Sequence, residues 1–395
     1  MNRFDRIAAY MEKTVCGEHH VPGCDILIYR DHDLLYRHIC GYSDREAQIP
    51  LTENHLYYMY SCTKVLTVSS GMRLWEEGKL DLDAPVSDYL PSFADVRQNI
   101  DGKLTAPEKP LLVRHLFTMS GGFDYNMRTD EVNALIAKNP HAITLEIVDQ
   151  FAKKPLLFTP GSRFQYSICH DILAAVVEIA SGMRFSEYLK AVIFDPIGMG
   201  DSTFEDSDDV IARLAAQYAS NSAGIVTRAG QNNAFRLTDN YESGGAGLIC
   251  SAADYARFAD TMACGGTAAN GYRFLKPETV KYLHTDQLPT YTMDGTFSCA
   301  AGPGYGYGFG VRTRLNQNEG QRSPIGEFGW DGAAGSYVMC DDTNRLSIFF
   351  AMHVLSWPSC IGSDHAVIRD LVYDALTCKS KLIIKGDFPC FRFQK

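Results

Sequence analysis

Ser61 and Lys64, in the run Tyr60-Ser61-Cys62-Thr63-Lys64, stand three positions apart. If a helix starts there, that spacing puts a hydroxyl and an amine on one face. A serine hydroxyl is a poor nucleophile until a base takes its proton. A lysine one turn away can serve, provided desolvation or a second cation keeps it partly neutral. An N-cap serine followed by a surface lysine has the same spacing. The flanks favour chemistry. Tyr57-Tyr58-Met59-Tyr60 suits a buried extended approach, and Val65, Leu66, Val68, Met72, Leu74 and Trp75 follow helical spacing. Such a junction turns helix N-terminal N–H groups and the positive dipole end toward an oxyanion.

The elements that must hold this pair are legible in outline. Residues 1–20 read as a helix. Cys24–Arg30 and Leu34–Gly41 read as strands joined by the polar turn Asp31-His32-Asp33. Leu111–Gly122 reads as a short helix with a glycine stop, and Ile143–Lys153 and Asp171–Gly182 as further helices. Phe185–Phe194 is a helix expected to end at Asp195-Pro196. A helix over Ala252–Cys264 follows the glycine turns around Ser243–Gly247. In the last third, Glu327–Gly332, Gly335–Cys340 and Arg345–Met352 form an antiparallel meander, closed by a helix over Asp364–Leu376. The run Gly302–Val311 alternates glycine with aromatic residues. It lacks the lysine and the strand–helix setting of a phosphate loop, so it reads as an extended strand.

The chain is 395 residues long, enough for two lobes, with 46% hydrophobic and 21% charged residues. A formal net charge of −10 without a basic run argues against a nucleic-acid partner. No stretch approaches the roughly 18 apolar residues of a membrane span. Residues 1–10 lack an apolar signal core, so the expected location is cytoplasmic. The 12 cysteines read as reduced core thiols. Cys16, His19, His20 and Cys24 have spacings a metal could use. A helix end followed by the turn Val21-Pro22-Gly23 accounts for them without one. Cys62 reads as a small packing residue beside the nucleophile.

With these motifs in this order, the chain resembles the serine β-lactamase and penicillin-binding-protein superfamily. The resemblance is to the class C-like branch that includes family VIII carboxylesterases, and it covers roughly residues 20–378. Ser61-Cys62-Thr63-Lys64 matches S-x-x-K, which implies Ser61 as the acylated nucleophile and Lys64 as its proton partner. Phe158–Ser167 looks like the approach to Y-x-N, which implies Tyr166 as the acid/base group. Phe194–Met199 and Gly244–Ser251 also match stretches typical of this branch. Trp330-Asp331-Gly332 falls at the third motif, K-T-G or H-x-G. That placement implies backbone N–H groups of Ser61 and Ala333 as the oxyanion hole. On a strand, Trp330 and Gly332 share the pocket face and Asp331 points behind the sheet. Gly332 lets an acyl group approach the backbone.

Two positions depart from the family pattern. Ile168 replaces the asparagine of Y-x-N, and Trp330 replaces the lysine or histidine that helps hold a substrate carboxylate. His170, two residues on, could partly substitute as a polar contact, but a satisfied, partly buried histidine is the favoured reading. The expected fold is α+β, an α/β sandwich: an antiparallel sheet built from both chain ends and flanked by helices, plus a mainly helical lobe. The sheet lobe would be 1–78 and 240–395, and the helical lobe 79–239. The expected function is a serine hydrolase working through an acyl-enzyme on a small-molecule acyl substrate, a carboxylesterase first. The alternatives are a D-amino-acid peptidase or amidase with weak β-lactamase activity, an acyltransferase, and a non-catalytic sensor of the same fold. Neither a metal nor an organic cofactor is required for this chemistry.

Overall fold

A computed structural model describes residues 3–288, 304–317, 322–357, 359 and 363–377. Its centre is an eight-stranded antiparallel sheet. The strands are β1 (Gly23–Arg30), β2 (Asp33–Asp44), β3 (Ile49–Pro50), β4 (Tyr305–Tyr307), β5 (Arg312–Arg314), β6 (Phe328–Asp331), β7 (Tyr337–Asp341) and β8 (Leu346–Met352). Across the sheet they run β4-β5-β6-β7-β8-β1-β2-β3. The two ends of the chain meet at its middle, where β1 pairs with β8 and Ile26 stands opposite Phe350.

Alternation along these strands sends side chains to two cores. Cys24, Ile26 and Ile28 of β1, with Ile348, Phe350 and Met352 of β8, pack against Phe4, Ile7, Met11, Ile368 and Val372. The last five come from the N-terminal helix α1 (Asp5–Tyr10) and its cap Phe4, its continuation over Met11–Glu18, and a C-terminal helix over His365–Thr377. Leu27, Phe349 and Ala351 face the other way, into the larger core that holds the remaining helices. Both faces are covered, and β8 is buried along its whole length. That is the expected α+β sandwich.

Helix α2 (Thr63–Glu76) follows a single 3₁₀ turn, Tyr60–Cys62. It is buried on nearly all sides, so its polar side chains have internal partners. Thr67 donates to Gly244 O at 2.7 Å, and Thr63 Oγ1 accepts from Leu248 N at 3.1 Å. Gly71 sits in mid-helix because a Cβ there would lie 2.6 Å from the Phe117 ring. Helix α3 (Cys169–Ser181) packs against α2, and α4 (Ala252–Ala263) lies on β8, β1 and β7.

Two expectations change. Pro196 does not end the helix that begins at Phe185. The chain widens into a π-type turn over Lys190–Phe194, runs through Asp195–Ile197, and stops at Gly198 with φ +83°. The wider turn accommodates a residue without an N–H to donate. The metal-like spacing near the N-terminus is rearranged. His19 Nδ1 lies 3.3 Å from Asp364, and His20 is exposed. Cys16 and Cys24 do meet, but their third neighbour is Cys40. Tyr305–Tyr307 is a strand as expected, while Gly302 and Pro303 lie outside the described residues. No helix among the described residues is long and apolar enough to cross a membrane.

Candidate active site

Ser61 stands in the turn that opens α2, where the helix N-terminus is nearest. The residue before it, Tyr60, has φ +46°. A left-handed conformation at a bulky residue costs about 1–3 kcal/mol and persists only where the surroundings hold it. Here the Tyr60 hydroxyl donates to Gln217, and its ring packs edge-on to Phe235 with centroids 6.0 Å apart. The strain re-aims the chain between the strand Leu56–Tyr58 and α2, leaving Ser61 half-buried at the corner.

Lys64 is fully buried, and its three donors all have partners. Nζ lies 3.1 Å from Ser61 Oγ, 2.8 Å from the Tyr125 hydroxyl and 2.6 Å from Gly245 O. It also sits 5.0 and 4.8 Å from the ring centroids of Tyr125 and Tyr166, within cation–π range. A carbonyl can only accept, so Gly245 O takes one N–H in either charge state of the lysine. If the amine is neutral, its lone pair is left for the O–H of Ser61 or of Tyr125.

Tyr166 reaches the site ring-first. It stacks on Tyr125 at 5.3 Å and on Trp330 at 5.7 Å. Its hydroxyl accepts from Trp330 Nε1 at 3.2 Å. The phenol hydrogen-bonded to Lys64 is therefore Tyr125, which the sequence reading passed over. Its one local sign is an aromatic residue just after the turn Ser120-Gly121-Gly122. Burial, followed by the neighbouring Tyr166, pushes the Tyr125 phenol well above its usual range, so it stays protonated.

Trp330 and Asp331 point to opposite sides, as strand alternation requires. Behind the sheet, Asp331 meets Arg312 at 3.1 Å and His365 at 3.2 Å. Gly332 packs on the approach to the nucleophile, where a Cβ would lie 2.6 Å from Met59 O. Ala333 is exposed, and no hydrogen bond among the described residues uses its N–H. Cys62 is fully buried, with Sγ 3.6 Å from Ser336 O, and burial raises its thiol. It is a packing residue.

Ile168 and His170 lie deeper than a pocket-lining reading puts them. Both have 0% exposure. Ile168 is the cap of α3 and belongs to the main core. His170 Nε2 meets Phe117 O at 3.2 Å, and burial, then Lys64, lowers its pKa to about 3. It is a neutral core histidine.

A second missed residue is Asp171, on the first turn of α3 and fully buried. It accepts from Tyr241 at 2.8 Å, Ser243 at 2.6 Å and the Gly245 N–H at 3.3 Å. It thereby fixes the loop whose Gly245 carbonyl holds Lys64. The approach is close: a Cβ on Gly245 would lie 2.5 Å from Asp171 Oδ2 and 2.9 Å from the Tyr125 hydroxyl.

A serine, a buried lysine and two phenols at a strand-to-helix corner match one family. Residues 4–372 fit the Beta-lactamase family model. The chain belongs to the beta-lactamase family. Among curated relatives, Protein Rv1367c of Mycobacterium tuberculosis is 27% identical over 350 residues, covering 86% of this chain and 87% of its own. Esterase EstB of Burkholderia gladioli is 30% identical over 265 residues, covering 61% of this chain and 65% of its own. Among solved structures, "EstCE1, a hydrolase with promiscuous acyltransferase activity" superposes with a TM-score of 0.78 at 25% identity. It covers 94% of this chain and 98% of its own.

Proposed function

We propose that the protein is a carboxylesterase that cleaves small acyl esters through an acyl-enzyme on Ser61. The observation that carries this reading is the 3.1 Å contact between Ser61 Oγ and the buried amine of Lys64. Lys64 takes the Ser61 proton as Oγ adds to the ester carbonyl. The backbone N–H groups of Ser61 and Ala333 hold the oxyanion. The leaving alkoxide departs with a proton from the Tyr166 hydroxyl, and the proton held on Lys64 restores it. Water then adds to the acyl group and releases the acid, returning the proton to Ser61.

Ester is favoured over amide or lactam by what stands at the recognition positions. Ile168 is a fully buried apolar residue where an amide-binding asparagine is expected, and Trp330 presents an indole where a cation would hold a carboxylate. Esterase EstB and EstCE1 are named as an esterase and a hydrolase, which supports the same class. EstCE1's acyltransferase side activity supports a second reading, transfer to an alcohol in place of water. The test is hydrolysis of short-chain p-nitrophenyl esters beside a chromogenic cephalosporin and a D-alanyl amide, with Ser61→Ala as control. Ester turnover that vanishes in the variant is the expected result. Preference for the amide or lactam overturns the assignment. Adding an alcohol and measuring transesterified product separates transfer from hydrolysis.

A further inference from the structure

We propose that Cys16, Cys24 and Cys40 form a three-thiolate site for a thiophilic d¹⁰ cation, Zn²⁺ or Cu⁺, separate from the Ser61 centre. The three sulfurs come from three elements: the turn Met11–Glu18, the start of β1 and the middle of β2. Cys24 and Cys40 are direct cross-strand partners, so their side chains share a face, and Cys16 closes over them from the helix. The separations are 3.7 Å for Cys16–Cys24, 3.5 Å for Cys16–Cys40 and 3.5 Å for Cys24–Cys40.

That triangle is nearly the face of a coordination tetrahedron. With Zn–S bonds of about 2.3 Å, two sulfurs on one ion lie about 3.8 Å apart. The sulfurs need to spread by only a few tenths of an ångström to receive the ion. A disulfide between any two requires far more movement, to about 2.05 Å. Two packed cysteines in contact are ordinary. Three that are mutually in contact, from three elements, are the set that soft cations select.

The surroundings suit the charge and the traffic. Cys16 Sγ lies within hydrogen-bond range of both neighbouring sulfurs, and either atom of each pair can be the donor. Binding displaces the thiol protons to solvent, because the thiolate is the form that binds the ion. Cys24 is fully buried, whereas Cys16 and Cys40 are half-buried, which leaves an entry path and an outward-facing coordination position. Among the described residues no fourth cysteine, histidine or carboxylate joins the cluster. His38, two positions before Cys40 on β2, is turned to Glu12 at 3.1 Å. The ion is therefore three-coordinate, as suits Cu⁺, or takes water as its fourth ligand, as suits Zn²⁺.

The site is structural in its consequences. It clips the N-terminal helix to β1 and β2 on the face that carries the smaller core, while the Ser61 assembly sits in the core on the opposite side. Loading should raise the melting temperature and leave ester turnover unchanged.

The test uses the full chain, stripped with a chelator under reducing conditions and titrated separately with Zn²⁺ and with Cu⁺ against a chromogenic competitor. One equivalent held by one of the two ions identifies it. The melting temperature should rise, and affinity should fall at least about a hundredfold in Cys16→Ser and in Cys40→Ser. Cys264→Ser should bind normally, which separates this site from the looser group His32, Asp260 and Cys264. If the serine variants fail to fold, protection of three thiols from alkylation in metal-loaded wild-type chain reads the same site. The proposal is overturned if neither ion binds, if binding survives in both variants, if loading protects none of these thiols, or if peptide mapping of freshly isolated protein finds a disulfide within the trio.

Discussion

The Tyr125 hydroxyl lies 2.8 Å from Lys64 Nζ, nearer than the Ser61 hydroxyl at 3.1 Å. The lysine thus has two hydroxyls to exchange protons with, and only one of them is the nucleophile. Tyr125→Phe keeps the ring beneath the Lys64 amine and removes only the O–H. We expect kcat/KM for a short-chain ester to fall about 10²-fold, within the usual range for a proton-transfer group. A loss of less than about threefold would make the hydroxyl a bystander to catalysis.

Trp330 donates to the Tyr166 hydroxyl while stacking on its ring. Trp330→Phe retains the stack and deletes one hydrogen bond worth about 1 kcal/mol, so turnover should drop roughly fivefold. Trp330→Ala removes both and should cost considerably more, mostly in KM if the indole lines the acyl pocket. Steady-state kinetics on a series of acyl lengths would separate the two effects.

Asp171 accepts three hydrogen bonds with one oxygen and has no exposure. Asp171→Ala leaves three buried donors without an acceptor and should destabilise the protein by about 3 kcal/mol or more. Asp171→Asn can keep the acceptor and should cost less. Urea unfolding of the two variants tests this order; equal losses would mean that the carboxylate charge, not the acceptor, secures the loop.

His353 is buried, its Nδ1 is engaged by Ala216 O, and burial lowers its pKa to about 4. The fold therefore binds this proton only near pH 4, whereas the unfolded chain binds it near the usual 6.5. Its contribution to stability is complete above about pH 6.5 and is lost as pH falls toward 4, roughly 3 kcal/mol in all. In His353→Gln this share of the acid destabilisation should be missing. Melting curves of variant and wild type should converge between pH 7 and pH 4. Parallel curves would show that the imidazole titrates alike in both states.

Legibility in the sequence followed the range of the interaction. Ser61 and Lys64 are one helical turn apart, so their meeting depends on local geometry alone. The hairpin of β1 and β2 and the meander β6–β7–β8 were visible because alternation and turn residues are also local. Tyr125 has no such signature, since its place at Lys64 depends on how the loop after Gly122 lies over α2. Asp171 reads as an ordinary helix-start acid until Ser243 and Gly245 arrive from more than seventy positions away. Cys40 was overlooked for a related reason. His19 and His20 are close to Cys16 in sequence, but strand register, not proximity along the chain, decides that Cys24 faces Cys40.

The pairing of β1 with β8 has a consequence for biosynthesis. The partner of Ile26 is Phe350, which a ribosome adds more than three hundred codons later. At typical translation speeds that interval lasts tens of seconds. Throughout it, the apolar β1–β2 hairpin emerges with one edge unpaired, a template for adhesion to other nascent chains. Completion of the sheet therefore waits until β8 has been made, and overexpressed protein should gain yield from lower growth temperatures or a co-produced holdase.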